Sequence, residues 1–187
     1  NLDLNGTGVP DTGDTSFVFG DGTDRPVLGR WTSSDRKARI GTFRPSTACW
    51  YFDTNGTGAW DGGDTSTCQF GTGASTPIVG DWNGDGVDDI GTFVGVGASG
   101  YFNLDYNGNR AWDGCVVDRC YQFGAVSDRP VVGDWNGSGT SKVGVARGNG
   151  AGALDFYLDN GNGTWGAGDW TKGNYGYSSD VPLAGVW

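Results

Sequence analysis

One loop of the chain, Asp81 to Asp89, carries an oxygen-bearing side chain at nearly every second position. Gly84 and Gly86 supply the bends that let so short a loop wrap an ion. Oxygen ligands without sulfur or imidazole suit hard Ca²⁺ rather than zinc or copper. The sequence therefore predicts a calcium site whose ligands, at positions 1, 3, 5, 7 and 9 of the loop, are Asp81, Asn83, Asp85, the Val87 carbonyl and Asp89.

A second copy of this loop places Asp134, Asn136 and Ser138 at positions 1, 3 and 5. Position 9 is Lys142, whose ammonium would either oppose a bound cation or take its place. The first copy has Arg30 at position 1, and we expect it to hold no metal. The three copies therefore predict one complete site and two degenerate ones.

Another kind of loop, twelve residues long, repeats the ligand spacing of an EF-hand without its helices. A neutral Thr stands at position 5 and Asp replaces the usual Glu at position 12, so we expect either weak calcium binding or a hairpin loop without metal. Two copies carry the full pattern, with a carbonyl at position 7: Asp53, Asn55, Thr57, Ala59, Asp61 and Asp64, and Asp3, Asn5, Thr7, Val9, Asp11 and Asp14. A third copy has Val116 at position 12, and its candidate ligands are Asp105, Asn107, Asn109, Ala111 and Asp113.

The four cysteines indicate two bridges. Pairing two strands around the loop 53–64 makes facing residue numbers sum to 117, as those of Cys49 and Cys68 do. We therefore predict a disulfide between Cys49 and Cys68, which leaves Cys115 to pair with Cys120 and to clip the third twelve-residue loop. An even number of paired cysteines indicates an oxidising compartment.

These loops recur because the chain repeats a unit of about 52 residues four times. Each copy has Pro at the start of a short apolar strand and Trp five residues later: Pro26, Pro77, Pro130 and Pro182, and Trp31, Trp82, Trp135 and Trp187. Three further short strands per unit, joined by Gly, Asn and Asp turns, are typical of propeller blades. We predict an all-β, β-propeller-like array of about four four-stranded blades, of which the first is incomplete.

We expect the array to form a single repeat domain over residues 1–187, with repeats at approximately 1–35, 36–88, 89–141 and 142–187. The chain begins at Asn1 without a signal-peptide pattern, as expected of a mature or excised fragment. It enters at a third strand and ends on a first strand, so one strand is lacking. Three assemblies fit this count: a four-bladed ring, an eight-bladed ring made by a homodimer, and a part of a longer array.

The composition of the chain limits the classes of function that we expect. The formal net charge of −10 disfavours nucleic acid as a partner, and no apolar stretch is long enough for membrane insertion. The chain contains no His, which excludes a Ser–His–Asp or Cys–His catalytic centre, and we expect no enzymatic activity. Four tryptophans at one repeated position, Trp31, Trp82, Trp135 and Trp187, are expected in the core or between blades, whereas Trp60, Trp112 and Trp165, which recur beside the metal loops, leave both a core and a binding role open. Trp50 and Trp170 break that pattern and are the candidates for a ligand-binding surface.

The segment from Gly80 to Phe93 resembles the FG-GAP/VCBS repeats, which build the propellers of integrin α-subunits and occur in many secreted bacterial proteins. The resemblance extends over nearly the whole chain, although only this copy carries the complete metal motif. It implies calcium bound by the loop 81–89 and a role in adhesion or ligand recognition. We therefore expect a calcium-stabilised recognition module, secreted or at a bacterial cell surface, that binds an extracellular glycan or protein. The alternatives are a carbohydrate-binding appendage of a secreted hydrolase or protease, and a structural spacer in a surface protein.

Overall fold

The computed structural model describes residues 5–34 and 36–184. In this part of the chain the predicted all-β fold is confirmed, with twelve strands in three four-stranded antiparallel sheets. Sheet 1 contains β1 (Arg25–Gly29), β2 (Arg39–Arg44), β3 (Cys49–Phe52) and β4 (Thr65–Thr67). Sheet 2 contains β5 (Thr76–Gly80), β6 (Asp89–Val96), β7 (Ser99–Leu104) and β8 (Arg119–Ala125). Sheet 3 contains β9 (Arg129–Gly133), β10 (Lys142–Gly148), β11 (Leu154–Leu158) and β12 (Trp170–Lys172).

Apolar alternation decides which face of a strand is buried. In β7 the buried residues are Gly100, Phe102 and Leu104, whereas Tyr101 and Asn103 between them are only partly buried. Successive side chains of a strand point to opposite faces of the sheet. A period of two therefore collects the apolar side chains on the face that meets a neighbouring sheet.

Two apolar clusters join the three sheets in sequence. One cluster includes Trp31 and Phe52 from the first unit and Ile90 of β6, so it links sheets 1 and 2. The other includes Phe102 of β7 and Val145 of β10, so it links sheets 2 and 3. Each large apolar side chain buried in this way contributes about 1.5–3 kcal/mol. Each unit thus depends on the next one to cover its apolar face, as the repeat predicts.

The recurrent tryptophans occupy core positions, as predicted, wherever they are described. Trp31 and Trp82 are buried and Trp135 is partly buried. Each indole Nε1 donates to a backbone carbonyl, at 3.0 Å, 3.1 Å and 2.8 Å respectively, which satisfies the one polar atom of the buried ring. Trp187 lies outside the described residues.

The first strands of successive units lie side by side. Residues of β1, β5 and β9 and the segment 182–184 together line one cavity of about 260 Å³. In the described part of the chain no sheet closes into a barrel, and closure of the units into a ring stays a prediction. Among residues 5–34 and 36–184 no helix is long and apolar enough to cross a membrane.

The sheets also show where each repeat unit begins. Each sheet begins with the proline-containing strand, so the expected repeat limits at 35/36, 88/89 and 141/142 fall between the first and second strands of a sheet. Both predicted disulfides, Cys49–Cys68 and Cys115–Cys120, are confirmed. The pairing of β3 with β4 places Trp50 opposite Thr67, which is the register from which the first bridge was predicted.

Trp50 does not contribute to a ligand-binding surface, and that prediction is wrong. Its side chain is 0% exposed, its ring lies against Phe43 and Phe52, and its Nε1 donates to the Phe70 carbonyl at 2.9 Å. Replacing a buried aromatic of this size with Ala costs about 3–5 kcal/mol, so Trp50 serves the core. Trp170, on the edge strand β12, is 52% exposed.

Candidate metal centre

The loop 81–89 connects β5 to β6, and its own side chains hold it in shape. The two carboxylate oxygens of Asp81 accept from the Gly84 and Gly86 N–H groups, at 2.6 Å and 2.9 Å. Asn83 Oδ1 accepts from the Asp85 N–H at 2.9 Å. Asp85 Oδ1 accepts from the next N–H but one, that of Val87, at 2.8 Å.

Positive φ angles at two glycines make this folding of the loop possible. Gly84 has a φ of 83° and Gly86 one of 86°, a region of backbone space that side-chain-bearing residues rarely adopt. The loop therefore turns tightly and brings three carboxylates, those of Asp81, Asp85 and Asp89, into one region.

The electrostatics of that region favour a cation. Asp89 begins β6 and is 6% exposed. Burial raises the pKa of Asp89 to about 8, and the nearby carboxylates of Asp105, Asp85 and Asp81 add to the rise. The hydrogen bond from Asn83 Nδ2 to Asp89 Oδ2 is long, at 3.4 Å. The loop thus holds a buried acid whose negative charge is poorly compensated.

A second buried carboxylate, that of Asp105, lies where β7 ends and the loop to β8 begins. Burial raises the pKa of Asp105 to about 6, partly offset by its hydrogen bond from the Arg110 N–H. The other carboxylate oxygen, Oδ1, has no hydrogen-bond partner in the described part of the chain. The Arg110 guanidinium donates instead to the Trp31 carbonyl and to Thr65 Oγ1, at 2.9 Å and 2.8 Å. An unpartnered buried carboxylate oxygen next to the loop is the kind of group that a hard cation satisfies.

The corresponding loop between β9 and β10 contains a cation of its own. Lys142 is 6% exposed, and its ammonium points at the oxygen atoms of the loop. The Nζ donates to Ser138 Oγ, to the carbonyl and hydroxyl oxygens of Thr140 at 2.6 Å and 2.8 Å, and to Asp134 Oδ1 at 3.4 Å. Asn136 accepts from the Ser138 N–H at 3.2 Å. Of the two expected roles of Lys142, these contacts fit the one in which the ammonium takes the place of a metal ion.

The first positions of these loops also connect neighbouring units. Arg30, at position 1 of the first copy, pairs with Asp88, whose Oδ2 accepts from the Arg30 backbone N–H at 2.7 Å. Asp81 is linked in the same way to Ser141, which donates its N–H to the Asp81 carbonyl at 2.7 Å. A change in the charge of one loop is therefore felt where two sheets meet.

The twelve-residue loops compensate their carboxylates internally. Between β3 and β4, Asn55 Nδ2 and Thr57 Oγ1 donate to the two oxygens of Asp61, at 2.6 Å and 3.0 Å. The Gly63 N–H, followed by the Thr57 hydroxyl, holds the pKa of Asp61 below its ordinary value. Asp53 accepts from three backbone N–H groups of the same loop, at 2.7–3.1 Å. In this loop, neutral hydrogen-bond donors compensate the negative charge that a bound cation would otherwise compensate.

The N-terminal copy repeats this arrangement. Asn5 Nδ2 and Thr7 Oγ1 donate to Asp11 at 2.8 Å and 3.1 Å, and Asp14 accepts from the Asp11 N–H at 2.9 Å. The Thr7 hydroxyl is also within 3.1 Å of the Val9 carbonyl, the counterpart of Ala59 in the loop 53–64. Asp3, the first candidate ligand of this copy, lies outside the described residues.

In the third copy of the twelve-residue loop, the sequence did not predict the residue that closes the loop. Asp64 closes the loop 53–64 by accepting from the Thr54 and Asp61 N–H groups, at 3.1 Å and 3.0 Å. In the third copy Asp118 takes this role, accepting from the Tyr106 and Asp113 N–H groups at 3.1 Å and 2.8 Å.

Two extra residues within the Cys115–Cys120 clip move this Asp past the expected position 12, which Val116 occupies. The presence of an Asp near the end of the Cys115–Cys120 clip was the sequence feature that could have identified Asp118. In the same loop Asn107 and Asn109 donate to Asp113 at 3.0 Å and 2.6 Å and lower its pKa, while Ala111 pairs with Gln69 of the preceding unit.

In residues 5–34 and 36–184, no group of three or more Asp or Cys side chains forms a cluster that could hold a metal ion. The carboxylates of Asp81, Asp85 and Asp89 thus do not form a cage by themselves. Asn83 and backbone oxygens would have to complete a site.

In comparison with known proteins, the chain matches no family model, no curated sequence and no solved structure. Its function is therefore inferred from the chemistry of its own residues.

Proposed function

We propose that the chain is a secreted recognition module whose structure is stabilised by calcium bound to the loop 81–89. The contrast between two corresponding loops is the observation that carries the proposal. Lys142 brings an ammonium into one of them. The other places Asp89 at the same position, buried and beside further carboxylates, where its pKa is raised to about 8. The same loop geometry with the opposite charge calls for a cation from outside.

The donor set of the loop fits calcium. Asp81, Asn83, Asp85, the Val87 carbonyl and Asp89 supply only oxygen atoms, and two glycines give the bends. A bound ion would supply positive charge where the carboxylates repel one another. The chain's own residues hold the loop, because Asp81 and Asp85 accept from backbone N–H groups, and they join it to the next unit through Ser141. Calcium bound to the folded state alone would add to stability by mass action.

The proposed architecture is a β-propeller-like array related to the FG-GAP/VCBS repeats. Three observations support it: four-stranded meanders that repeat along the chain, apolar clusters that join each sheet to the next, and first strands that share one cavity. Whether a ring forms within one chain or in a homodimer is a question for light scattering in calcium and in EDTA. A dimer that dissociates in EDTA would identify a shared ring held by calcium.

Secretion and recognition complete the proposal. Two disulfides favour an oxidising compartment, where calcium is also abundant. The absence of His from the sequence leaves little chemistry for catalysis, which favours binding of an extracellular glycan or protein.

Calcium titration by calorimetry, with a thermal melt at each calcium concentration, tests the proposal. We expect saturable binding, and about 2.7 kcal/mol of added stability when calcium is at 100 times its dissociation constant. Asp85→Asn keeps the oxygen that accepts from the Val87 N–H but removes the charge, so it should weaken binding about tenfold. Asp180→Asn, outside every candidate loop, likewise keeps an oxygen that accepts from a backbone N–H, that of Tyr177, and as the matched control it should bind calcium as the wild type does. Absence of both heat and stabilisation in millimolar calcium would refute the proposal.

A further inference from the structure

A cleft recurs wherever consecutive units meet. One wall is a Phe that directly precedes a Gly near the end of one unit, and the other is a Trp from the loop between the third and fourth strands of the next unit. The three ring pairs are Phe19–Trp60, Phe70–Trp112 and Phe123–Trp165, with centroids 6.2 Å, 5.6 Å and 6.0 Å apart. All three tryptophans remain 40–51% exposed, so each cleft presents aromatic surface to solvent.

An arginine occupies the third cleft. Arg147 lies over the Tyr157 ring, 4.9 Å from its centroid, and makes two hydrogen bonds to the buried Asp128, at 2.8 Å and 2.7 Å. The remaining cavity, bordered by Phe123 and Trp165, measures about 240 Å³. Here the charged and aromatic side chains use one another as partners.

The first cleft has the same filling. Arg44 lies over the Tyr51 ring at 4.8 Å and donates to Asp24 through Nε and Nη2, both at 2.8 Å. Trp60 packs edge-on against Tyr51, with centroids 5.3 Å apart. Two of the three clefts are therefore partly filled by the same trio of Arg, Asp and Tyr.

The second cleft has lost all three members of that trio together. Ser75 replaces the Asp, Val94 replaces the Arg, and Asn103 stands where the Tyr would be. The strand registers support this correspondence, because Thr92 faces Asn103 as Val145 faces Tyr157. The change leaves a larger cavity of about 330 Å³, which has no charged residue in its lining.

A hydroxyl in this cleft lacks a partner. Thr92, 1% exposed, lines the cavity, and within the described part of the chain its Oγ1 makes no hydrogen bond. The equivalent Thr42 hydroxyl is also without one, but there Arg44 and Tyr51 occupy the cleft. A buried polar group left unsatisfied costs free energy, so a group that could satisfy it would bind favourably.

We propose that the second cleft binds one ring of a neutral sugar. Trp112, 40% exposed and packed against the buried Phe70, offers an apolar aromatic surface for the C–H face of a pyranose, and Thr92, Asn103 and neighbouring polar groups can pair with its hydroxyls. An uncharged lining gives no counter-charge for a phosphate, a sulfate or an amine. The volume lies at the lower end of the range for small-molecule sites, which suits a single ring. This inference rests on the proposed recognition function and names its ligand class.

Methyl glycosides of glucose, galactose, mannose, fucose and N-acetylglucosamine are the probes, each titrated in calcium at concentrations up to about 20 mM. Saturation-transfer NMR and tryptophan fluorescence report binding. We expect saturable binding of at least one glycoside. Trp112→Ala should weaken it about tenfold, and Trp165→Ala, which removes the corresponding exposed tryptophan of the third cleft, should leave it unchanged.

Thr92→Val separates binding from folding. The third unit already has Val145 at this position, so the variant should melt at or above the wild-type temperature. It should nevertheless bind the sugar about threefold to tenfold more weakly, because the hydroxyl is gone.

Failure of every glycoside to saturate would overturn the inference, as would binding that survives Trp112→Ala or is lost in Trp165→Ala. A melt of the same samples with and without calcium keeps the two proposals apart. Stabilisation by calcium without sugar binding would refute the cleft alone, and sugar binding that depends on Trp112 without a calcium effect would refute the metal centre alone.

Discussion

Asp89→Asn should stabilise the calcium-free protein, although it removes a predicted calcium ligand. The folded-state pKa of Asp89 is about 8, so at pH 7 the carboxyl must take up a proton that it would release in the unfolded chain. Each pH unit between the unfolded pKa of 3.8 and pH 7 is worth about 1.4 kcal/mol, which sets an upper limit of about 4 kcal/mol. Relaxation and entry of water into the loop reduce this penalty, and we expect a gain of about 2 kcal/mol on replacing the acid with the isosteric amide.

A thermal melt in EDTA and in calcium measures the effect. A domain of this length shifts by about 2–4 °C for each kcal/mol, so the melting temperature in EDTA should rise by about 4–8 °C. The rise that calcium produces in the wild type should disappear in the variant, because the amide carries no charge for the ion.

Asp61→Asn is the matched control, since it makes the same substitution in the loop between β3 and β4. Donors from the Gly63 backbone, Thr57 and Asn55 stabilise the charge of Asp61 and lower its pKa, so losing that charge should lower the melting temperature in EDTA. The two variants therefore shift in opposite directions. A lower melting temperature for Asp89→Asn in EDTA, or a calcium-induced rise that persists in it, would refute the reasoning.

Three further predictions concern pH, the internal cation and a disulfide. Because the folded pKa of Asp89 lies above its unfolded value of 3.8, its contribution to stability in EDTA is full below pH 3.8 and is lost as the pH rises towards 8. Saturating calcium should reverse that trend between pH 5 and 8, roughly the range in which the proton and the ion compete, and urea midpoints at several pH values will show it. Lys142→Met should lower the free energy of unfolding by about 1.5–3 kcal/mol in urea titrations, because the charged donor to several oxygens of its loop is lost, whereas Lys172→Met on the exposed β12 should change it little. Replacing Cys49 and Cys68 with Ala should cost about 3 kcal/mol by the same measurement, and an unchanged midpoint would contradict a stabilising bridge.

The parts of the fold that were predictable are those written in short-range spacing. Four strands per unit follow from alternating apolar residues between glycine-rich turns, and the Cys49–Cys68 bridge follows from a loop of known length. The ligand spacing of the loop 81–89 is legible for the same reason, because its side chains bond to N–H groups two to five residues away. Asp118 was missed because a two-residue insertion breaks that local spacing.

The placement of Trp50 shows where local spacing fails. It breaks the tryptophan period, which suggested a surface position, yet it is buried because the Phe70 backbone, just after β4, and the rings of sheet 1 enclose it. Burial of a single side chain depends on what approaches it from elsewhere in the chain, and periodicity within one strand carries no record of that neighbour.

The sequence by itself determined the repeat, the all-β class, both disulfides and the spacing of the oxygen donors, because each of these is a matter of contacts within one unit or one hairpin. Only the tertiary structure decided the charge balance of the loops and the shape of the clefts. The Asp89 carboxyl is perturbed by Asp105 from the loop after β7, and the second cleft opens because Ser75 before β5, Val94 of β6 and Asn103 of β7 come together. Desolvation and electrostatic interaction depend on distance in space, and in this protein those distances are set by the pairing of strands within a sheet and by the packing of neighbouring units.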